Sequence, residues 1–137
     1  MADVVDRETR SRMMAAVRTR HTAPEMRVRK YVHAAGLRYR LHVRSLPGAP
    51  DIVLPKYRTV IFVHGCFWHQ HEHCVKAKLP TTNLSFWSEK LAGNAHRDRL
   101  AQQALRAEGW KVFTVWECET RDPQRLALVV EQVRGAV

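Results

Sequence analysis

Thr59-Val60-Ile61-Phe62-Val63-His64-Gly65-Cys66-Phe67-Trp68-His69-Gln70-His71-Glu72-His73-Cys74 is the stretch on which the fold turns. Its first five residues are apolar and largely β-branched, which predicts a central strand. The eleven residues from His64 to Cys74 then hold four of the eight histidines and two of the three cysteines. Clustered imidazoles and thiols cost folding energy unless a metal or a reaction uses them. The run therefore reads as a metal site, a catalytic site, or both.

The sequence around that strand supplies its neighbours. Asp51-Ile52-Val53-Leu54 predicts a short strand between the turns 47–50 and 55–58, both of which begin with proline. Residues 37–46 alternate, with Leu37, Tyr39, Leu41 and Val43 on one side and Arg38, Arg40, His42 and Arg44 on the other. That predicts a half-buried strand with a cationic outer face. Upstream, Thr22-Ala23-Pro24-Glu25 has the form of a helix start, and Gly36 stops that helix. Downstream, residues 85–108 predict a long helix ended by Gly109, and residues 112–116 a strong strand. Asp122-Pro123 opens a closing helix that runs to Val137. The order α, three strands, α, β, α predicts an α/β fold, a small mixed central sheet flanked by helices.

A chain of 137 residues implies one domain with a real core. Residues 1–20 read as a basic N-terminal arm or short helix, and residues 21–137 as the domain. Lys and Arg number 23 against 13 Asp and Glu, a formal charge of +10, which points to a polyanionic partner, nucleic acid first. No apolar run approaches the ~18 residues of a membrane span, and residues 1–20 lack the apolar stretch of a signal peptide. The expectation is a cytoplasmic protein with no membrane partner. An odd number of cysteines there argues for metal or buried thiols over disulfides.

Several residues carry candidate chemistry. Asp51 opens its strand after a proline turn and is the only acid between Glu25 and Glu72. It reads equally as a Mg²⁺ ligand or as the cap of that turn. His64 and His69 could take a proton from water; the alternative is a pair of loop histidines or extra zinc ligands. Cys66, His71, His73 and Cys74 suit tetrahedral Zn²⁺, and Cys118 can close the site if the last strand ends beside the central one. Three buried thiols acting as small hydrophobes are the alternative. Phe67 and Trp68 in a polar loop, with Trp87 further on, read as wedges for a base stack or as core. Residues 94–99 read as a solvated helix face, in which Asp98 could instead orient a histidine.

Ser11-Arg12-Met13-Met14, Thr22-Ala23-Pro24-Glu25, Tyr39-Arg40-Leu41-His42, Leu46-Pro47-Gly48-Ala49-Pro50-Asp51, the run from Val60 to His69, Phe86-Trp87, Arg97-Asp98-Arg99 and Val115-Trp116-Glu117-Cys118 occur in that order. On these motifs the chain resembles the very-short-patch repair (Vsr) DNA mismatch endonuclease family over about residues 8 to 120. The resemblance implies a restriction-endonuclease-like core with a structural Zn²⁺ and a catalytic Mg²⁺. It implies a monomer that nicks one strand of double-stranded DNA 5′ to the T of a T·G mismatch left by 5-methylcytosine deamination. Carried over by residue, Asp51 and the main-chain carbonyl of Val63 bind Mg²⁺ and His69 is the general base. His64 assists at the phosphate, and Glu25 and Asp98 support the site. Phe67, Trp68 and Trp87, with Met14, wedge beside the mismatch. Cys66, His71, Cys74 and Cys118 hold zinc. The spacing after His71 is one residue longer than the family pattern, which leaves His73 as the alternative ligand. The same nuclease chemistry on another lesion or on foreign DNA, and a non-catalytic zinc-stabilised binder of distorted DNA, are the competing readings.

Overall fold

The computed structural model describes residues 22–135. The expected basic arm, with Met14, lies outside the described residues. Seven regular elements follow in the expected order: α1 (Ala23–Ala34), β1 (Arg40–Leu41), β2 (Ile52–Leu54), β3 (Thr59–His64), α2 (Leu84–Ala107), β4 (Lys111–Trp116) and α3 (Pro123–Gly135). The sheet order is β1-β2-β3-β4. β1–β2 and β2–β3 are antiparallel, while β3–β4 is parallel and α2 forms the crossover.

β3 is apolar along its length because both faces of the sheet are covered. Ile52, Leu54, Ile61 and Val115 join Val28 and Val32 of α1 and Val129 and Val133 of α3 in one core layer. Val53, Val60 and Phe62 face the other way with Leu105 of α2. The period-2 alternation of β2 and β3 thus divides their side chains between the layers, and each fully buried Ile, Leu or Val contributes roughly 1.5–3 kcal/mol.

Local signals set the element ends. Thr22 Oγ1 accepts from the Glu25 N–H at 3.3 Å, capping α1. Past Gly36, with φ +84°, the Leu37 N–H returns to the Val32 carbonyl at 3.2 Å and drops Leu37 into the core. Asp122 Oδ1 accepts from the Gln124 N–H at 3.0 Å at the start of α3.

The first strand is shorter than the alternation predicts. Only Arg40 and Leu41 pair, opposite Val53 and Ile52. His42 has φ +47°, a left-handed conformation that ends the extended run and breaks the alternation. Its side chain therefore turns inward rather than joining the cationic outer face. The following turn is held tightly. A Cβ on Gly48, with φ +74°, would lie 2.7 Å from Ala101 Cβ of α2 and 3.3 Å from the Phe62 ring. Only glycine allows the turn to press beneath α2 there, and this fixes where Asp51 emerges.

Candidate active site and metal centre

Asp51 stands where β2 begins, beside the end of β3. Its Oδ2 accepts the Val63 N–H at 2.7 Å. In an extended strand the N–H and C=O of one residue point to the same side, so the Val63 carbonyl also faces Asp51. Continuing the β2–β3 register by two residues sets Pro50 opposite Val63, and a proline has no N–H to donate to that carbonyl. Burial pushes the Asp51 carboxyl up to about 6; Glu25 adds to the rise, and the Val63 N–H, His42 and His69 oppose it.

Glu25 comes from the first turn of α1 and is 1% exposed. Its backbone belongs to the helix cap, while its carboxylate turns into the site. Both oxygens lie near His42 Nε2, at 3.0 and 2.9 Å, and Arg29 reaches Oε2 at 3.4 Å. Glu25, His42 and Asp51 each offer a ligand atom, all within 4.8 Å of one another.

His69, in the loop after β3, places Nδ1 2.7 Å from Asp98 Oδ2. Ionised Asp98 only accepts, so the proton sits on Nδ1 and the Nε2 lone pair is available to a substrate. The His64 ring stacks on His69, with centroids 3.9 Å apart and planes 8° apart. Burial, then His69, lowers His64 to about 4, so this imidazole is neutral at neutral pH. Asp51, Val63, His64, His69 and Asp98 line one cavity of about 410 Å³, with His42 and Arg44 at its wall.

The loop then forms a second cluster. Cys66, His71, Cys74 and Cys118 bring ligand atoms within 4.8 Å of one another. His71 Nδ1 is 3.6 Å from Cys66 Sγ and 3.5 Å from Cys118 Sγ. His73 lies outside this group, exposed, with φ +58°. Cys118 arrives because His64 pairs with Trp116 at the end of the parallel register. Burial pushes the Cys66 thiol up to about 12, so at neutral pH it is protonated, and a cation binding the sulfur would displace the proton to solvent. Three thiols and an imidazole at tetrahedral spacing can hold a metal ion and leave no open position for substrate.

The aromatic residues form a third group. Phe67, Trp68 and Trp87 meet edge to face at 5.2, 5.6 and 5.9 Å between centroids, each half-buried. Phe86 extends the group and is exposed. Two amides hold the backbone of this aromatic pair: Gln70 Nε2 donates to the Phe67 carbonyl at 2.7 Å, and Asn94 Nδ2 to the Trp68 carbonyl at 3.1 Å.

The structure brings together the sequence-derived groups Asp51, Val63, His64, His69, Glu25 and Asp98, and separately Cys66, His71, Cys74 and Cys118. Residues 94–99 are not wholly a solvated face, since Asp98 and Asn94 turn inward. Their spacing of four residues, one helical turn, is a signal that they share a face. His42, Gln70 and Asn94 are the residues that sequence reasoning missed. Asn94 had that signal; His42 had none, because strand alternation assigns it to the outside.

Comparisons with known proteins agree with this geometry. The profile of a family described as "DNA mismatch endonuclease Vsr" matches residues 2–76. The chain is 48% identical over 122 residues, 89% of each chain, to "Type II nicking enzyme V.XorIIP" of Xanthomonas oryzae pv. oryzae. It is also 48% identical over 126 residues, 92% of this chain and 80% of the relative, to "DNA mismatch endonuclease Vsr" of Escherichia coli. It is 40% identical over the full length of "Type II nicking enzyme V.NmeAIP" of Neisseria meningitidis. Among solved structures, the "Homing Endonuclease I-Bth0305I Catalytic Domain" superimposes with a TM-score of 0.56 at 18% identity, over 84% of this chain and 96% of that one. That likeness is one of fold.

Proposed function

The chain belongs to the Vsr family of DNA mismatch endonucleases, and on that premise we propose that it nicks one strand of duplex DNA 5′ to the T of a T·G mismatch, using Mg²⁺. As a member of that family it is a DNA endonuclease of mismatch repair. Among the described residues no helix is long and apolar enough to cross a membrane. The protein works as a cytoplasmic monomer, with residues 1–20 as a basic arm and residues 21–137 as the nuclease domain.

The observation that carries this reading is the 2.7 Å His69–Asp98 pair facing Asp51 across one cavity. His69 Nε2 takes the proton of the attacking water, and Asp98 holds the ring and stabilises the imidazolium that results. Neutral His64, stacked behind it, keeps the ring from turning and offers an N–H to the phosphate. The Asp51 carboxylate and the Val63 carbonyl would hold Mg²⁺, with Glu25 in support; both are oxygen donors, as Mg²⁺ prefers. When bound, the ion supplies charge stabilisation at the phosphate and the leaving oxygen. Cys66, His71, Cys74 and Cys118 suit a structural Zn²⁺, the Cys₃His set of closed sites.

Phe67, Trp68 and Trp87, with Met14, wedge into the stack. A wobble pair stacks less stably than a matched pair, so unstacking costs least beside the mismatch, which favours cutting there. The net charge of +10 supplies affinity for the phosphate backbone without reading sequence.

End-labelled duplexes differing at one pair (T·G, U·G, other mismatches, matched) test this, each incubated with and without Mg²⁺. A single Mg²⁺-dependent nick beside the T of T·G is expected. Preferential cutting at another pair would move the target and keep the chemistry. Tight binding without any cut would overturn the roles given to Asp51 and His69.

A further inference from the structure

Cleaving a phosphodiester brings negative charge into a cavity that already holds carboxylates. Asp51 and Asp98 both line the space of about 410 Å³, and each, when ionised, repels an anion entering it. Attack on the phosphorus adds to the charge on its non-bridging oxygens, which a positioned donor can stabilise. His69 cannot be that cation, because it must be neutral to accept the proton of water. Of the described residues that line this cavity, Arg44 alone is a lysine or arginine.

Local structure sets Arg44 at that wall. The Leu46 N–H donates to the Val43 carbonyl at 3.3 Å, closing a turn in which Arg44 takes the second position. Val43 and Leu46, the two ends of the turn, pack against the core layer of Val53, Val60, Phe62 and Leu105. The backbone is thus anchored on both sides of Arg44 while its side chain is exposed, so binding a phosphate orders the side chain alone. Other arginines are used by the fold: Arg58 lies over the Trp110 ring and Arg125 pairs with Glu119. Among the described residues Asp98 pairs with His69, and Arg44 forms an ion pair with neither Asp98 nor Asp51. Its planar fork matches two oxygens of one phosphate at once.

We propose that Arg44 is a further catalytic residue of this nuclease, whose guanidinium donates to the non-bridging oxygens of the scissile phosphate and stabilises the charge that builds there. Arg44 makes and breaks no covalent bond, and the proton of the attacking water still goes to His69 Nε2. The inference rests on the reading of the cavity between Asp51 and His69 as the reaction centre.

The test uses the full zinc-loaded chain in two measurements. In the first, single-turnover nicking of a T·G duplex is followed with Mg²⁺ at saturating protein. Arg44→Ala should lower the rate by about 10²-fold, the scale of one lost donor to a developing oxyanion. Arg44→Lys should fall between the two, because it keeps the charge and loses the fork. In the second, binding without added divalent cation is compared for duplexes carrying one methylphosphonate, an uncharged linkage, either 5′ to the T or at a neighbouring position. The neutral linkage 5′ to the T should weaken wild-type binding by about tenfold and leave Arg44→Ala nearly unaffected, since that variant has already lost the contact. Each protein is compared with itself, so a folding defect common to all duplexes cancels. A saturating rate in Arg44→Ala within about threefold of wild type would overturn the catalytic role. Equal penalties in both proteins, or coupling only to a neighbouring linkage, would overturn the assignment to the scissile phosphate. A wild type that nicks no duplex would overturn the reaction reading, and the methylphosphonate comparison would still decide whether Arg44 holds that phosphate.

Discussion

Asp51→Asn should abolish nicking and yet make the Mg²⁺-free protein more stable. Asn keeps the size of the side chain, and its Oδ1 can still accept the Val63 N–H that Asp51 accepts at 2.7 Å. What it removes is a charge that burial disfavours. The Asp51 carboxyl is raised from 3.8 to about 6; at about 1.4 kcal/mol per unit this is about 3 kcal/mol against the ionised form. Asp51 is half-buried at a cavity mouth, so solvent screening reduces the expected gain to about 2 kcal/mol. The sign follows from linkage. The folded state holds this proton more tightly than the unfolded chain, so the associated stability is present below pH 3.8 and is lost as pH rises through about 6. Asn carries no such proton, and its advantage grows over that window and levels off above it. Thermal unfolding of zinc-loaded protein, without Mg²⁺ and without a chelator that would strip zinc, reads the difference. For a chain of this size about 2 kcal/mol is a Tm rise of roughly 8 °C at pH 7.5, shrinking toward zero near pH 4. Added Mg²⁺ should close the gap by stabilising only the wild type. An Asn protein that melts at or below wild type at pH 7.5, or a gap independent of pH, would refute the claim that this carboxylate is held ionised at a cost.

Asp98→Asn retains a hydrogen-bonding group at His69 but cannot stabilise its imidazolium, so single-turnover nicking should fall by about 10²–10⁴-fold. Mismatch affinity in gel shifts should stay within a factor of about three, since binding rests on charge and wedges. Trp68→Ala should weaken T·G duplex binding by about 1–3 kcal/mol, the scale of one aromatic–base stacking contact. Fluorescence titration at fixed salt measures it, and a loss that is equal on matched duplex would contradict the wedge role. Cys66→Ala removes a thiolate from the Cys/His cluster at a fully buried position. It should release the zinc, seen as loss of protein-bound metal by elemental analysis, and lower stability by several kcal/mol; retained stoichiometric zinc would exclude Cys66 as a ligand.

The parts of this molecule legible in the sequence were those fixed by local chemistry. Thr22, Gly36, Gly109 and Asp122 mark helix ends because caps and left-handed residues act over a few positions. β3 was legible because a strand covered on both faces must be apolar throughout. The cysteine cluster was legible down to Cys118, since a parallel strand pair brings equivalent strand ends together. His42 was not. A single left-handed φ reverses which side a residue faces, and alternation cannot anticipate it. Nor could the charged run 94–99 say which of its members turn inward, because that depends on where the loop after β3 lies. The choice between His71 and His73 was likewise one of loop path: the strand pairing that carries Cys118 also selects the imidazole that can reach it.

The proposed roles supply a reason for a thiol–imidazole cluster beside the cavity of a nuclease. Phe67 and Trp68, proposed as wedges, and His69, proposed as the base, lie between Cys66 and His71 in sequence, and thus between two members of the cluster. A closed metal site there would pin both ends of the short segment proposed to enter the duplex and would hold the orientation of His69. Trp116 extends the constraint. The His71 ring stacks on it at 4.2 Å, and the His64 ring meets it edge-on at 5.3 Å before stacking on His69. His71, if it held an ion, would fix one face of Trp116, which would limit the tilt of His64 and, through the stack, of His69. In the proposed mechanism, unstacking a base pair would push back on this loop. A loop anchored to β4 at Cys118 can transmit that load to the sheet without displacing His69, which is the mechanical condition for coupling recognition of distorted DNA to cleavage within a chain of this size.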